Sequence, residues 1–179
     1  MRPVAAAFLL GAAACHRAPE EPLAATTSSA AVAAPREAVT PNAASPCPPD
    51  PEQAPPSKAT GAVLFPESGA RVEVEVVSSE HDTEKGLMYR THMEHDHGML
   101  FQLDRRVHSF WMHNTCISLD LIYIDGDRIL GVVEKAPVLD DQPRSVGQPG
   151  TDVLEVNAGW AAKHGVRAGQ KVVLPSRAR

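Results

Sequence analysis

The chain has 179 residues, of which 43% are hydrophobic and 22% charged, and its formal net charge is -5 at pH 7. That length accommodates one globular domain and an additional segment. Because the net charge is negative and the Lys and Arg residues are scattered, no basic surface is expected, and nucleic acid is excluded as a predicted partner.

The first 14 residues have the order of charge and hydrophobicity that is typical of a signal peptide. The apolar run over 4–10 suits the h-region of an export signal, about 7–15 residues long, and is far shorter than the roughly 20 residues that span a bilayer. Cys15 resembles the lipobox cysteine of bacterial lipoproteins, although Ala12 stands where Leu is usual. The resemblance implies a lipid anchor at Cys15 and a place in the cell envelope, facing the periplasm or the exterior. The alternative is an ordinary secretory signal cut near Ala14, which gives a soluble secreted or periplasmic protein.

Residues 15–60 are predicted to be a disordered tether rich in Ala and Pro. Phe, Trp and Tyr are absent there, whereas Ala, Pro, Ser and Thr prevail. Such a segment cannot bury enough apolar area to offset the entropy lost on ordering. Nothing in it has the pattern of a catalytic site.

A β-rich domain is predicted over 61–175, followed by a tail over 176–179. The valines at 72, 74 and 76 alternate with charged residues, which is the period of a strand that buries one face. Asp125-Gly126 lies between two apolar, β-branched runs and predicts a tight hairpin. Further short strands are predicted over 98–101, 121–124, 129–133, 152–156 and 171–174.

Two short helices are predicted between the strands. Asp82 can cap the first helix, which extends to Met88 and contains Gly86, a residue that weakens a helix but permits close approach to a sheet. Asn157 can cap the second helix, and Gly165 is placed to end it in a Schellman turn.

Residues 109–123 are predicted to organise the domain as an aromatic strand, a polar corner and a second apolar strand. Phe110, Trp111 and Tyr123 are three of the eight aromatic residues of the chain, and large rings dominate the burial energy of a small core. The polar residues of this stretch are His113, Asn114, Thr115 and Asp120. Polar groups in apolar surroundings must hydrogen-bond to the protein or to a ligand.

Five motifs in this chain resemble, in the same order, those of the DUF192 family of small bacterial and archaeal proteins. They lie at 84–91 (Glu-Lys-Gly-Leu-Met-Tyr-Arg-Thr), 96–101 (Asp-His-Gly-Met-Leu-Phe), 110–115 (Phe-Trp-Met-His-Asn-Thr), 119–122 (Leu-Asp-Leu-Ile) and 154–160 (Leu-Glu-Val-Asn-Ala-Gly-Trp). The chain departs from the family pattern at His113, where Lys is usual, and at Ser118, where Pro is usual.

The resemblance covers about 70–175 and implies a single β-rich domain of jelly-roll-like architecture, often exported, with no assigned activity. With about seven short strands and two short helices, we expect a mainly β fold. It is predicted to be a small jelly-roll-like sandwich or partly open barrel, preceded by the disordered linker.

The corner is the leading candidate for a ligand-binding site. Its predicted ligand-binding residues are Arg90, Trp111, Asn114, Thr115, Asp120 and Asn157, with Arg90 and the amides after Asn157 as anion-binding groups. The alternative is that Asn114, Thr115 and Asp120 satisfy a tight connection between strands, because turn residues commonly bond their own backbone. Arg90 would then pair with a carboxylate.

A histidine cluster is a weak candidate for a metal site. His92, His95 and His97, with two neighbouring carboxylates, have the ligand types that zinc or copper requires. Surface histidines in a polar loop are the preferred interpretation, so no metal and no other cofactor is predicted.

The cysteines leave two further possibilities open. Cys116 could be a nucleophile activated by His113, but it lies among apolar residues and is interpreted as a small buried hydrophobe. After lipidation of Cys15, Cys47 and Cys116 remain, and they could pair in an oxidising periplasm.

The sequence therefore predicts an envelope protein whose domain is a non-enzymatic module, without catalytic residues, that binds a small polar ligand or an envelope protein. One alternative is a metal-dependent or thiol enzyme that uses His92, His95 and His97 or Cys116. The other is a purely structural envelope protein.

Overall fold

A computed structural model describes residues 47–53 and 61–177. The predicted signal peptide, Cys15 and most of the predicted tether lie outside the described residues. The described elements are β1 (Gly61–Phe65), β2 (Ala70–Val77), α1 (Glu80–Lys85), β3 (His97–Val107), β4 (Leu119–Asp125), β5 (Arg128–Ala136), β6 (Pro149–Asn157) and α2 (Trp160–Lys163). In the part of the chain that the structure describes, no helix has the length and hydropathy needed to cross a membrane.

The strands form one mixed sheet in the order β1-β2-β3-β6-β4-β5. β2 and β3 are parallel and are joined through α1, whereas the other neighbours are antiparallel. The sheet does not close into a barrel, although single bridges join Val173 to Leu64 of β1 and Lys171 to Arg128 of β5. The predicted mainly β class with two short helices is therefore confirmed. The strand predicted over 171–174 is reduced to these two bridges.

Both faces of the sheet are covered by apolar residues. One face packs against α2 and the C-terminal segment through Trp160, Val166 and Val172. The other face packs against Leu87 and Met112. A sheet buried on both faces gives its central strands no solvated side, and this burial sets the environment of the site described below.

The helix caps differ from the predicted ones. α1 begins at Glu80 because Ser79 is its N-cap and accepts a hydrogen bond from the Asp82 backbone N–H; the capping role predicted for Asp82 is wrong. α2 begins after Gly159 without a side-chain cap, so the capping role predicted for Asn157 is also wrong. The predicted turn at Gly165 is confirmed by its φ of 63° and by the Val166 N–H donating to the Ala161 carbonyl.

The central stretch has less regular structure than predicted. β4 begins at Leu119, as the apolar pattern indicates, but residues 109–118 contain one isolated bridge, from Phe110 to Arg144, in place of a strand. Met112 is buried there, whereas the Trp111 side chain is 51% exposed. The large ring therefore lies at the surface of the domain, and Tyr123 supplies the buried aromatic side chain.

Candidate functional site

A row of side chains runs across the second face of the sheet. Glu75 of β2 is opposite Met99 of β3, Met99 is opposite Glu155 of β6, and Glu155 is opposite Leu121 of β4. Adjacent strands lie about 4.8 Å apart, so the two glutamates are two strand spacings from each other. The row thus places two carboxyl groups on one face with an apolar residue between them.

Glu155 is the buried member of this pair. Its side chain is 5% exposed and makes no hydrogen bond with the residues over 47–53 and 61–177. Burial raises its pKa to about 8, and the nearby positive charge of Arg90 opposes that rise. Glu155 is therefore largely protonated at neutral pH, which lowers the cost of keeping it in apolar surroundings.

Arg90 does not supply the partner that Glu155 lacks. Its guanidinium forms a bidentate ion pair with Glu75, in which Nη1 donates to Oε1 and Nη2 donates to Oε2 at 2.7 Å. Both side chains are largely buried. This is the carboxylate pairing given above as the alternative to anion binding, and it leaves Arg90 engaged.

Glu155 lines a cleft of about 220 Å³, which we call the Trp111 cleft. Phe101 and Phe110 form its walls in an edge-to-face pair with ring centroids 4.9 Å apart. Thr115 also lines it, and Trp111 stands at its rim with half of its side chain exposed. The cleft combines aromatic side chains with a carboxyl in its lining.

The polar corner beside Trp111 is fixed by Tyr89 and Asn114. The Tyr89 N–H donates to the Asn114 carbonyl at 2.8 Å, and the Asn114 amide donates to the Tyr89 hydroxyl at 2.9 Å. Both residues have left-handed backbones, with φ of 67° and 52°. The Thr115 hydroxyl donates to the His113 carbonyl, and the indole of Trp111 stacks on the His113 ring at a centroid distance of 5.1 Å.

A strap formed by residues 47–53 lies against the same region. A disulfide joins Cys47 to Cys116, with the Cα atoms 5.6 Å apart. Lys85 of α1 makes ion pairs with Asp50 and Glu52. The pairing of the two cysteines, left open by the sequence, is thus present, and Cys116 is neither a free thiol nor a free nucleophile.

Asp120 and Asn157 lie away from the cleft and bond to backbone. The Asp120 carboxylate is fully buried and accepts hydrogen bonds from the backbone N–H groups of Lys135, Gly159 and Ala161 at 2.8, 3.0 and 2.9 Å. The Asn157 amide donates to the carbonyls of Met93 and Glu94. The structure thus brings Trp111 and Thr115 to one cleft with Asn114 beside it, and gives Asp120 and Asn157 internal partners.

The histidine cluster is spread over an exposed turn. His92 lies 3.2 Å from Glu94, and His95 lies 3.0 Å from Asp96. In the described part of the chain, no group of three or more His, Cys, Asp or Glu side chains could hold a metal ion.

Glu155 is the site residue that the sequence prediction missed. The run over 152–156 reads as a single strand, and its apolar residues at 153, 154 and 156 belong to both alternating faces. Such a run is typical of a strand buried on both faces, and a lone charged residue inside it is the signal that could have identified Glu155.

Comparison with known proteins gives a family and a fold. The DUF192 model, described as an uncharacterized ACR, matches residues 63–174. The structure is similar to that of a protein of unknown function from Novosphingobium aromaticivorans, with a TM-score of 0.62 and 31% identity, covering 69% of this chain and 95% of that one. It is also similar to a protein from Sinorhizobium meliloti proposed to be a transcription regulator, with a TM-score of 0.63 and 34% identity, covering 67% of this chain and 97% of that one. None of the curated proteins matches the chain.

Proposed function

Because this chain belongs to the DUF192 family, which is described as uncharacterized, we propose its function from its own residues: it is an exported, lipid-anchored protein of the cell envelope whose β domain is a non-enzymatic binding module. The observation that carries the binding role is the Trp111 cleft, where aromatic walls meet the buried, unbonded carboxyl of Glu155. Small-molecule sites are concave and place a few polar groups among aromatic and apolar side chains, and this cleft combines such aromatic walls with charged groups. The ligand is a small polar molecule or a side chain of an envelope protein.

Two features support export. Cys15 follows small residues after a short apolar run, which is the arrangement of a lipoprotein signal. The Cys47–Cys116 disulfide suits an oxidising compartment such as the periplasm, because cytosolic thiols are kept reduced. Mass spectrometry of the membrane fraction should find an acylated N-terminal Cys15. A Cys15→Ser variant should appear in the soluble fraction, and an unmodified residue 15 in the native protein would contradict the anchor.

The binding role can be tested by thermal-shift screening against envelope glycans, amino acids and short peptides. Trp111→Ala is the informative variant because the half-exposed indole contributes little to the core. Val173→Ala is a matched control, since Val173 is exposed to the same degree and lies outside the cleft. A stabilising ligand whose shift is lost in Trp111→Ala and kept in the control supports the proposal. No stabiliser in the panel, together with no protein captured by crosslinking, contradicts it.

Both alternatives make different predictions. A thiol enzyme is disfavoured because the Cys116 sulfur is bonded to Cys47. A metal enzyme requires stoichiometric zinc or copper in elemental analysis of protein purified without a His tag. A purely structural protein predicts that corner substitutions lower stability and change no binding partner. The net charge of -5 argues against nucleic acid as the ligand.

A further inference from the structure

The carboxyl of Glu155 makes no hydrogen bond or ion pair that would hold the fold together within the described residues. The residue is 5% exposed and lines the Trp111 cleft, and its carboxyl makes no hydrogen bond within 47–53 and 61–177. Buried polar groups are nearly always hydrogen-bonded, and an exception requires an explanation. An apolar residue at this position would pack between Met99 and Leu121 without a desolvation penalty. The lone carboxyl is therefore explained by something that enters the cleft.

The missing partner is a cation that the protein does not provide. Arg90 is the positive charge that lowers the pKa of Glu155, but both of its Nη atoms are already bonded to Glu75. Lys85 lines the cleft, but its ammonium is paired with Asp50 and Glu52 of the strap. Arg106 also lines the cleft, but Arg90 is the positive charge that acts on the pKa of Glu155. The described residues thus bond no cation to Glu155, and its carboxyl is left available for a cation from outside.

The walls of the cleft suit an organic cation. Phe101, Phe110 and Trp111 line the cleft together with Glu155, and the Trp111 ring is the exposed one of these, because Phe101 is buried. Ring faces attract ammonium groups, most strongly where water is excluded. The volume of about 220 Å³ lies below the roughly 300–1,000 Å³ of pockets for drug-sized ligands, so a single small head group fits.

We propose that the Trp111 cleft binds a small alkylammonium group, with Glu155 as its anionic partner and Trp111 closing over it at the rim. This inference rests on the proposed binding function of the same cleft and adds the class of ligand. The ligand is either a free amine or a head group carried by a larger molecule; both present the same ammonium.

Binding of a cation should release a proton, because the burial that raises the pKa of Glu155 to about 8 keeps it protonated when the cleft is empty. At pH values below that pKa, the affinity for the cation should therefore increase about tenfold for each unit by which the pH is raised. The charged or titratable groups around Glu155 are Glu75 on β2, Arg90 after α1, Glu84 and Lys85 on α1, Arg106 and His108 at the end of β3, and Tyr123 on β4. These groups are unchanged in Glu155→Gln, so the difference between the two proteins isolates Glu155.

The experiment is calorimetric titration of the purified full chain with choline chloride. Choline is a permanent cation, so its own charge does not vary with pH, and 3,3-dimethylbutan-1-ol is its uncharged isostere. We expect choline to bind at least tenfold more tightly than the alcohol, with an affinity that rises about tenfold from pH 6.5 to 7.5. Glu155→Gln should lose both the preference and the pH dependence, whereas Glu134→Gln, an exposed control on β5, should keep them.

Two results would overturn the inference. One is equal binding of choline and its isostere, and the other is unchanged choline binding in Glu155→Gln. If Glu155→Gln does not fold, the inference is still tested on the native protein by the comparison of choline with its isostere and by the pH series. The failure of this inference is distinguishable from that of the proposed function. If uncharged ligands stabilise the protein in a way that depends on Trp111, while choline does not bind, the binding function is supported and the cationic ligand is rejected. If neither choline nor any compound of the screening panel binds, both the cation inference and the proposed binding function are contradicted.

Discussion

Replacing Asp120 tests whether this carboxylate stabilises the fold or binds a ligand. Its Oδ1 accepts from the N–H groups of Lys135 and Gly159, and its Oδ2 accepts from the N–H of Ala161. These three donors belong to the end of β5 and the start of α2. The carboxylate thus joins β4 to two segments that are distant from it in the chain. Asp120→Ala leaves all three donors without that acceptor.

Each buried donor left unpaired costs about 1–3 kcal/mol, and partial relaxation keeps the sum below full additivity, so we expect a loss of about 3–5 kcal/mol in the free energy of unfolding. Asp120→Asn should lose less, because its remaining oxygen can still accept from Lys135 and Gly159 while its amide faces the Ala161 N–H. Urea unfolding followed by circular dichroism measures the free energy of unfolding of both Asp120 variants, and Asp127→Ala, at an exposed position, is the control. An Asp120→Ala variant within about 1 kcal/mol of the native protein would refute this account, and so would loss of ligand binding in a variant that remains folded.

Three further predictions concern the disulfide, Glu155 and Gly86. Cys47→Ala/Cys116→Ala removes a cross-link between residues 69 apart and should lower the free energy of unfolding by at most about 4 kcal/mol, as measured by urea unfolding; no change would argue against the bond. Because Glu155 binds a proton in the folded state up to about pH 8 and in the unfolded state only to its ordinary pKa of 4.5, stability should fall by roughly 1 kcal/mol per pH unit between these values. Glu155→Gln should lessen that fall across a pH series of thermal melts, and an identical slope in the two proteins would be inconsistent with a buried acid. Gly86→Ala should destabilise by about 1–2 kcal/mol in the same melts, because φ is 48° and the added Cβ would lie 3.2 Å from the Phe101 ring; a neutral result would show that α1 shifts freely.

The local parts of the fold were predictable because short-range patterns determine them. Alternating valines gave β2, and Asp125-Gly126 gave the β4–β5 hairpin, in which Gly126 has a φ of 62°. Gly86 was expected to permit a close approach to the sheet, and it lies against the Phe101 ring. Each of these features depends on residues that are neighbours in the chain.

The site was less predictable because it depends on contacts between distant segments. Glu155 lies between Leu154 and Val156, and alternation alone would direct it to solvent. It is buried because β6 pairs on both sides, with β3 and β4, and because Leu87 and Met112 cover that face of the sheet. The roles of Asp120 and Asn157 likewise depended on which backbone groups faced them, and the sequence could give only the alternatives of ligand or backbone partner.

The corner beside Trp111 is held in place before any ligand arrives. Tyr89 and Asn114 both adopt left-handed backbones, which L residues populate only when surrounding contacts compensate, and the two hydrogen bonds between them provide that compensation. Two residues along, Cys116 is covalently fixed to the strap, which in turn is paired to α1 through Lys85. Trp111 therefore sits on a loop fastened to two other segments, so binding at the cleft need not also include the entropic cost of ordering its rim. For a small ligand, which gains little from contact area alone, a rim that is already ordered would lower the cost of the proposed binding.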